Sequence, residues 1–131
     1  EMIIEALHEL DVSDRIQSFK DGVAALDYFF GPKGCLQKDP VHLPKLILLD
    51  LKLPKIGGLD ILKRLKSDER TRFIPTIVFT SSNETRDRIE CYLSGANSYV
   101  VKPLDADSFS QHISDIRSYW IEMNRVAYTE Q

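Results

Sequence analysis

The sequence predicts an α/β protein built on a doubly wound parallel sheet, and three observations carry that expectation. Segments with helical and strand periodicity alternate along the chain. The run Leu46-Ile47-Leu48-Leu49 is apolar without alternation, as a strand covered by helices on both faces requires. Three strand candidates stop at polar residues, Asp50, Thr80 and Lys102, and the carboxyl ends of strands are where such sheets gather their functional groups.

Taken in order, Ile3, Leu7 and Leu10 recur at helical spacing, so residues 1–10 read as an amphipathic helix. Arg15 to Phe19 alternates as a short strand. Asp21 is the expected N-cap of a helix with Val23, Leu26 and Phe30 on one stripe. Gly31, Pro32, Gly34, Pro40 and Pro44 punctuate a long connection to the strand ending at Asp50. After a turn at Pro54 and Gly57-Gly58, Leu59, Leu62 and Leu65 mark a helix whose outer face carries Lys63, Arg64 and Lys66. Ile74 and Thr76-Ile77-Val78-Phe79 form a second buried strand ending at Thr80. Ser81 and Glu84 match a capping box that opens a helix closing at Gly95. Ser98 to Val101 is a further strand, followed by Lys102-Pro103. The last helix runs from about Asp105 to beyond Met123, with Phe109, Ile113, Ile116, Trp120 and Met123 as the stripe facing the sheet. Tyr119 and Ile121 flank Trp120 and leave apolar surface over.

Composition narrows the function. A chain of 131 residues, 43% hydrophobic and 28% charged, fits one globular domain over residues 1–131. A net charge of −3 supplies no basic field for nucleic acid or an anionic membrane surface. No apolar run reaches the roughly 20 residues of a membrane span, and no signal peptide opens the chain, so a cytoplasmic location is expected. Cys35 and Cys91 are too far apart for a zinc motif and read as small buried or half-buried thiols. His8, His42 and His112 form no ligand or nucleophile pattern.

The strand-end residues suit one chemistry. A carboxylate can take a phosphoryl group as an acyl phosphate, and phosphoryl transfer is helped by a lysine, a hydroxyl and Mg²⁺ that neutralise charge. Each residue alone has a plain structural role: Asp50 in a turn, Thr80 bonded to backbone, Lys102 solvated. Jointly, on successive strands of one sheet, they read as a site.

These residues and their spacings make the sequence resemble the receiver domain of two-component response regulators. The resemblance rests on the run from Leu46 to Pro54, Gly58, the strand from Thr76 to Thr80 with Ser81, Gly95-Ala96, and Tyr99-Val100-Val101-Lys102-Pro103. Gly58, Thr80 and Lys102 follow Asp50 by 8, 30 and 52 positions. It implies a flavodoxin-like, five-stranded parallel sheet of order 2-1-3-4-5, whose first strand would precede Glu1 together with a pair of acidic metal ligands. It also implies that Asp50 accepts a phosphoryl group from a histidine kinase, that Thr80 turns inward to it, and that Lys102 pairs with a phosphoryl oxygen. Tyr99 stands where the family has an aromatic switch. The amides of Leu51 and Ser81 are the implied oxyanion donors, and Asp50 and the Lys52 carbonyl the implied Mg²⁺ ligands. Pro54, Gly58 and Pro103 hold the implied structural turns. Such a domain catalyses only its own phosphoryl transfer and dephosphorylation, and signals through phosphorylation-dependent contacts.

The loop from Gly31 to Pro44 and the ending Ile116 to Glu122 resemble single-domain regulators paired with phytochrome-type histidine kinases. A two-fold dimer through the last helix and the helix from Glu84 to Ser94 is expected. The alternative is a pseudo-receiver that binds partners without phosphorylation. An aspartate-nucleophile phosphatase would want an aspartate where Lys52 stands. A flavin or nucleotide binder would want a phosphate loop after the first strand.

Overall fold

The computed structural model describes residues 19, 21–38, 41, 43–53 and 55–128. The helix expected over residues 1–10, the strand expected over 15–19 apart from Phe19, and Pro54 lie outside the described residues, as do His8 and His42.

Asp21 opens helix α1 (Gly22–Phe30) as expected, its Oδ1 accepting from the Ala24 amide at 2.8 Å. The buried face differs from the expected stripe. Gly22 and Phe29, seven apart, point inward with Ala25 and Leu26 beside them, while Val23 is 49% exposed. Phe29 anchors the helix because its ring is the larger apolar surface, and Val23 lies about 100° round the helix from Gly22. A 3₁₀ turn (Cys35–Gln37) follows and buries Cys35 and Leu36.

The sheet has three described strands, β1 (Ile47–Leu49), β2 (Thr76–Thr80) and β3 (Ser98–Val101), in the order β1-β2-β3. All pairs are parallel, with Leu49 opposite Val78 and Val78 opposite Tyr99. The central strand β2 is buried at every position. Strand β1 is buried at Leu49 and half-buried at Ile47 and Leu48, rather than throughout; among the described residues it pairs on one side alone.

Helix α2 (Gly58–Ser67) buries Gly58, Ile61, Leu62 and Leu65 and leaves Lys63 and Arg64 outside. Lys66 departs from the expected solvated face. Its Nζ donates to the carbonyls of Arg72 at 2.9 Å and Ile74 at 2.8 Å, and to Asn97 Oδ1 at 3.0 Å. A lysine stem can lie along apolar surface while its head finds acceptors, and burial lowers the Lys66 pKa. Asn97 Oδ1 also accepts from the Thr76 amide at 2.8 Å, so this node ties α2 to the start of β2 and to the approach to β3. Lys66→Met keeps the stem but strands these acceptors. It is expected to cost about 1–3 kcal/mol, read as a lower denaturation midpoint at unchanged slope.

Helix α3 (Thr85–Leu93) is followed by Gly95 at φ 103°, the left-handed residue expected there. The capping box does not form. Glu84 is the N-cap and makes no side-chain cap bond, because Ser82 accepts from the Glu84 amide instead, at 3.3 Å.

Helix α4 (Ala106–Ile116) starts at Asp105, whose carboxylate accepts from the Ser108 amide at 2.8 Å. It continues as a π-helical stretch (Arg117–Met123). Phe109, Ile113 and Ile116 are buried as expected, but Trp120 is only half-buried and Met123 is 66% exposed. The i to i+5 bonding of a π-helix rotates the later residues off the stripe. Lys45 Nζ donates to the Ile121 carbonyl at 2.9 Å, and the Tyr128 hydroxyl to the Pro44 carbonyl at 2.5 Å, tying this ending to the approach to β1.

Candidate phosphoacceptor site at the carboxyl edge of the sheet

Parallel strands in register deliver their carboxyl ends to one edge, and the side chains just past β1, at the end of β2 and just past β3 meet there. Lys102 Nζ donates to Asp50 Oδ2 at 2.7 Å, across 52 residues of sequence. The Lys52 amide donates to Asp50 Oδ1 at 3.1 Å. Both charged side chains keep just over a quarter of their surface exposed, 27% for Lys102 and 29% for Asp50, so the pair is reachable from solvent.

Burial pushes the Asp50 carboxyl up, but the hydrogen bonds from Lys102 and the Lys52 amide, the Lys102 charge and the Thr80 hydroxyl outweigh it and hold its pKa below the ordinary 3.8. Asp50 is therefore ionised at neutral pH. Thr80, between the two on the central strand, is fully buried. Its Oγ1 accepts from the Ser82 amide at 3.4 Å, and its carbonyl accepts from the Lys102 amide at 2.8 Å.

Gly58 is the first residue of α2 rather than part of the preceding turn. The helix comes so close to β1 that a Cβ there would stand 2.1 Å from the Asp50 carbonyl oxygen and 2.7 Å from Leu51 Cα. The Gly58 amide donates to the Leu51 carbonyl at 3.1 Å. Leu51 and Ser81 follow Asp50 and Thr80 directly, and Ser81 is exposed. Pro103 follows Lys102 and is half-buried.

Tyr99 is not at the carboxylate. Its ring packs against the core and its hydroxyl donates to the Ser82 carbonyl at 2.9 Å, so it meets the site through the loop after β2. Ser82 is the residue that sequence reasoning missed. Its hydroxyl also donates to Asp87 Oδ2 at 2.6 Å, a five-residue spacing that matches no capping pattern. A cleft of about 240 Å³ opens beside this bond, lined by Leu51, Lys52, Leu59, Asp87, Glu90 and Cys91 among others.

An ionised carboxylate offers about four lone-pair positions. The lysine, the Lys52 amide and the Thr80 hydroxyl account for three on Asp50, which leaves one for a hard divalent cation. Among the described residues no group of three or more His, Cys, Asp or Glu gathers at a metal-binding distance, so Asp50 fits as one ligand of such an ion and not as a complete cage. No helix of the described residues is long and apolar enough to cross a membrane.

Comparison with known proteins gives the same reading. The response regulator receiver domain family matches residues 1–114. The probable methanogenesis regulatory protein FilR2 of Methanothrix harundinacea is 37% identical over 124 residues, covering 95% of this chain and 77% of that protein. The response regulator Rcp1 of Synechocystis is 31% identical over 121 residues, covering 92% and 80%. A crystal structure of the Mn²⁺-bound form of a response regulator Rcp1 superposes with a TM-score of 0.78 at 28% identity, over 97% of this chain and 89% of that one. The phosphorylated cyanobacterial phytochrome response regulator RcpA superposes at 0.83, with 28% identity and the same coverage. A parallel sheet flanked by helices, a strand-end carboxylate paired with lysine and a match over most of its length place the chain in the response regulator receiver domain family, the signalling domains that accept a phosphoryl group from a sensor histidine kinase.

Proposed function

We propose that residues 1–131 form a single receiver domain that takes one phosphoryl group on Asp50, with Thr80 and Lys102 as the residues that hold it. The observation that carries this reading is the direct 2.7 Å contact between Lys102 and Asp50, with Thr80 ending the strand that lies between theirs. In the transfer, an Asp50 carboxylate oxygen forms the new bond to phosphorus as the P–N bond to the donor histidine breaks, and the imidazole leaves with the electron pair. Lys102 already faces the carboxylate and can shift its Nζ to a phosphoryl oxygen, because three rotatable donors sit on a flexible stem. The Thr80 hydroxyl and the amides of Leu51 and Ser81 would donate to the others. A divalent cation held by the Asp50 carboxylate and the Lys52 carbonyl would neutralise charge on the same oxygens; Mg²⁺ is the ion we assign. The test is incubation with a small phosphodonor, with Mg²⁺ and with chelator. One phosphoryl mass gain, present only with the metal, supports the reading; no gain under either condition contradicts it.

Lys102→Ala separates switching from folding. The pair is partly exposed, so its loss costs about 1 kcal/mol at most, while phosphorylation-dependent partner binding disappears. The same substitution removes the first and third influences that lower the Asp50 pKa and leaves burial in place, so the carboxyl titration read by ¹³C NMR moves up from its value below 3.8. The sign for stability follows. A depressed folded pKa contributes stability above the unfolded value, and that contribution is lost as pH falls through the folded one. A Lys102→Ala protein whose Asp50 titration is unchanged would show that the pair is not formed in solution.

The partner that fits is a sensor histidine kinase of phytochrome type in the cytoplasm; the likeness to RcpA, a cyanobacterial phytochrome response regulator, supports this. A two-fold dimer is the form we assign. Ile89, Tyr92 and Leu93 on α3, Leu104, and Tyr119 and Met123 in the last helix are exposed and apolar, whereas Ile121, also expected at the interface, is half-buried. Light scattering over a concentration series tests it, and a monomer throughout, phosphorylated or not, contradicts it.

A further inference from the structure

Ser82 makes four hydrogen bonds that reach three different elements. Its amide donates to Thr80 Oγ1 at 3.4 Å, and its carbonyl accepts from the Tyr99 hydroxyl at 2.9 Å. Its hydroxyl donates to Asp87 Oδ2 at 2.6 Å and accepts from the Glu84 amide at 3.3 Å. These bonds are unequal. A 2.6 Å hydroxyl-to-carboxylate contact lies in the short, charge-assisted range, about twice as strong as a neutral bond. The 3.4 Å bond to Thr80 lies beyond the usual range for N–H to O and is the weakest joint.

The cap arrangement has the same consequence. Glu84 caps α3 without a side-chain bond, so the first turn is fastened through Asp87 to Ser82. The loop before α3 is therefore tied firmly to the helix and to β3 through Tyr99, and only weakly to the Thr80 side chain. A phosphoryl group on Asp50 would place charged acceptor oxygens beside the Thr80 hydroxyl, which already acts on the Asp50 carboxylate. Drawing Oγ1 toward them lengthens a contact that has little to lose.

We propose that Ser82 and Asp87 are positioning residues: their hydrogen bond makes residues 81–84, the first turn of α3 and the partner of the Tyr99 hydroxyl move as one unit when Thr80 turns to a group on Asp50. The inference rests on the reading that Asp50 takes the phosphoryl group. It adds that the hinge lies between Thr80 and Ser82 and that α3 is driven through Asp87.

The experiment compares the full chain with Ser82→Ala, Asp87→Ala and Ser82→Thr, each with and without a small phosphodonor and Mg²⁺. Intact mass reads phosphorylation, and NMR reads the amides of Thr85 to Arg88 and the Tyr99 ring. In the parent protein, phosphorylation shifts both sets of signals. Ser82→Ala and Asp87→Ala are expected to gain the phosphoryl group and to keep a Tyr99 response, since the Ser82 carbonyl is backbone, but to lose most of the shift in the α3 amides. Ser82→Thr keeps the hydroxyl and restores it. A full α3 response in both alanine variants overturns the proposal alone. A parent protein that gains no phosphoryl mass defeats the Asp50 reading, and the proposal falls with it.

Discussion

The Asp50→Asn protein is expected to take up no phosphoryl group and to keep its fold. An amide has nearly the shape of a carboxylate, and its Oδ1 can still accept one of the two hydrogen bonds made to Asp50 by Lys102 and the Lys52 amide. It has no ionised oxygen to attack phosphorus, so the loss is complete rather than partial. Stability changes by about 1 kcal/mol or less, because the pair is partly solvated and the carboxylate that is removed carried a burial penalty. A mass gain equal to that of the parent would move the acceptor elsewhere. Unfolding on substitution would make the carboxylate structural.

The largest expected loss of stability among the site residues comes from Gly58→Ala. The added Cβ meets backbone on both sides, the Asp50 carbonyl oxygen at 2.1 Å and Leu51 Cα at 2.7 Å, and neither can rotate away as a side chain could. Either α2 backs off the sheet, opening the contacts of the buried Ile61 and Leu62, or the end of β1 moves and takes Asp50 with it. Overpacking of this kind costs about 3 kcal/mol, a shift in Tm on the order of 10 °C for a domain of this size. Where the protein still folds, its rate of phosphoryl uptake falls as well, since Lys102 no longer meets the carboxylate at the same place. Gly57→Ala is the control: its Cβ would approach only the Leu51 carbonyl oxygen, at 3.8 Å, and the expected cost is under about 1 kcal/mol. Equal losses at the two glycines would contradict the packing argument.

What was legible in the sequence was what local pattern controls. The unbroken run before Asp50 and the strand Thr76 to Thr80 announced their own ends, and in a parallel sheet strand ends are what bring distant residues together. Asp50 and Lys102 could thus be paired without coordinates. Asp21 and Asp105 as caps, and Gly95 as a helix stop, were also local. Apart from the capping box, which Ser82 displaces locally, the failures were tertiary. Lys66 sits on a helix face that periodicity assigns to solvent, and only the folding back of Arg72, Ile74 and Asn97 supplies its acceptors. Hydrophobicity puts Val23 on one stripe with Leu26 and Phe30; those two do pack against the core, but Val23 is exposed and Phe29 is the residue most deeply buried. The stripe of the last helix held as far as Ile116 and then turned away where the bonding became π-helical. The link from Ser82 to Asp87 follows from how the loop after β2 bends back on α3, which no spacing rule encodes.

The central claim is that the phosphoryl group resides on Asp50, and an acyl phosphate can be trapped by reduction with borohydride, which turns the modified aspartate into homoserine. Peptide mapping after phosphorylation and trapping then reads the position directly. The expected result is homoserine at position 50, absent when the phosphodonor is omitted. Homoserine at another aspartate, such as Asp60 or Asp87, with Asp50 intact, would contradict it.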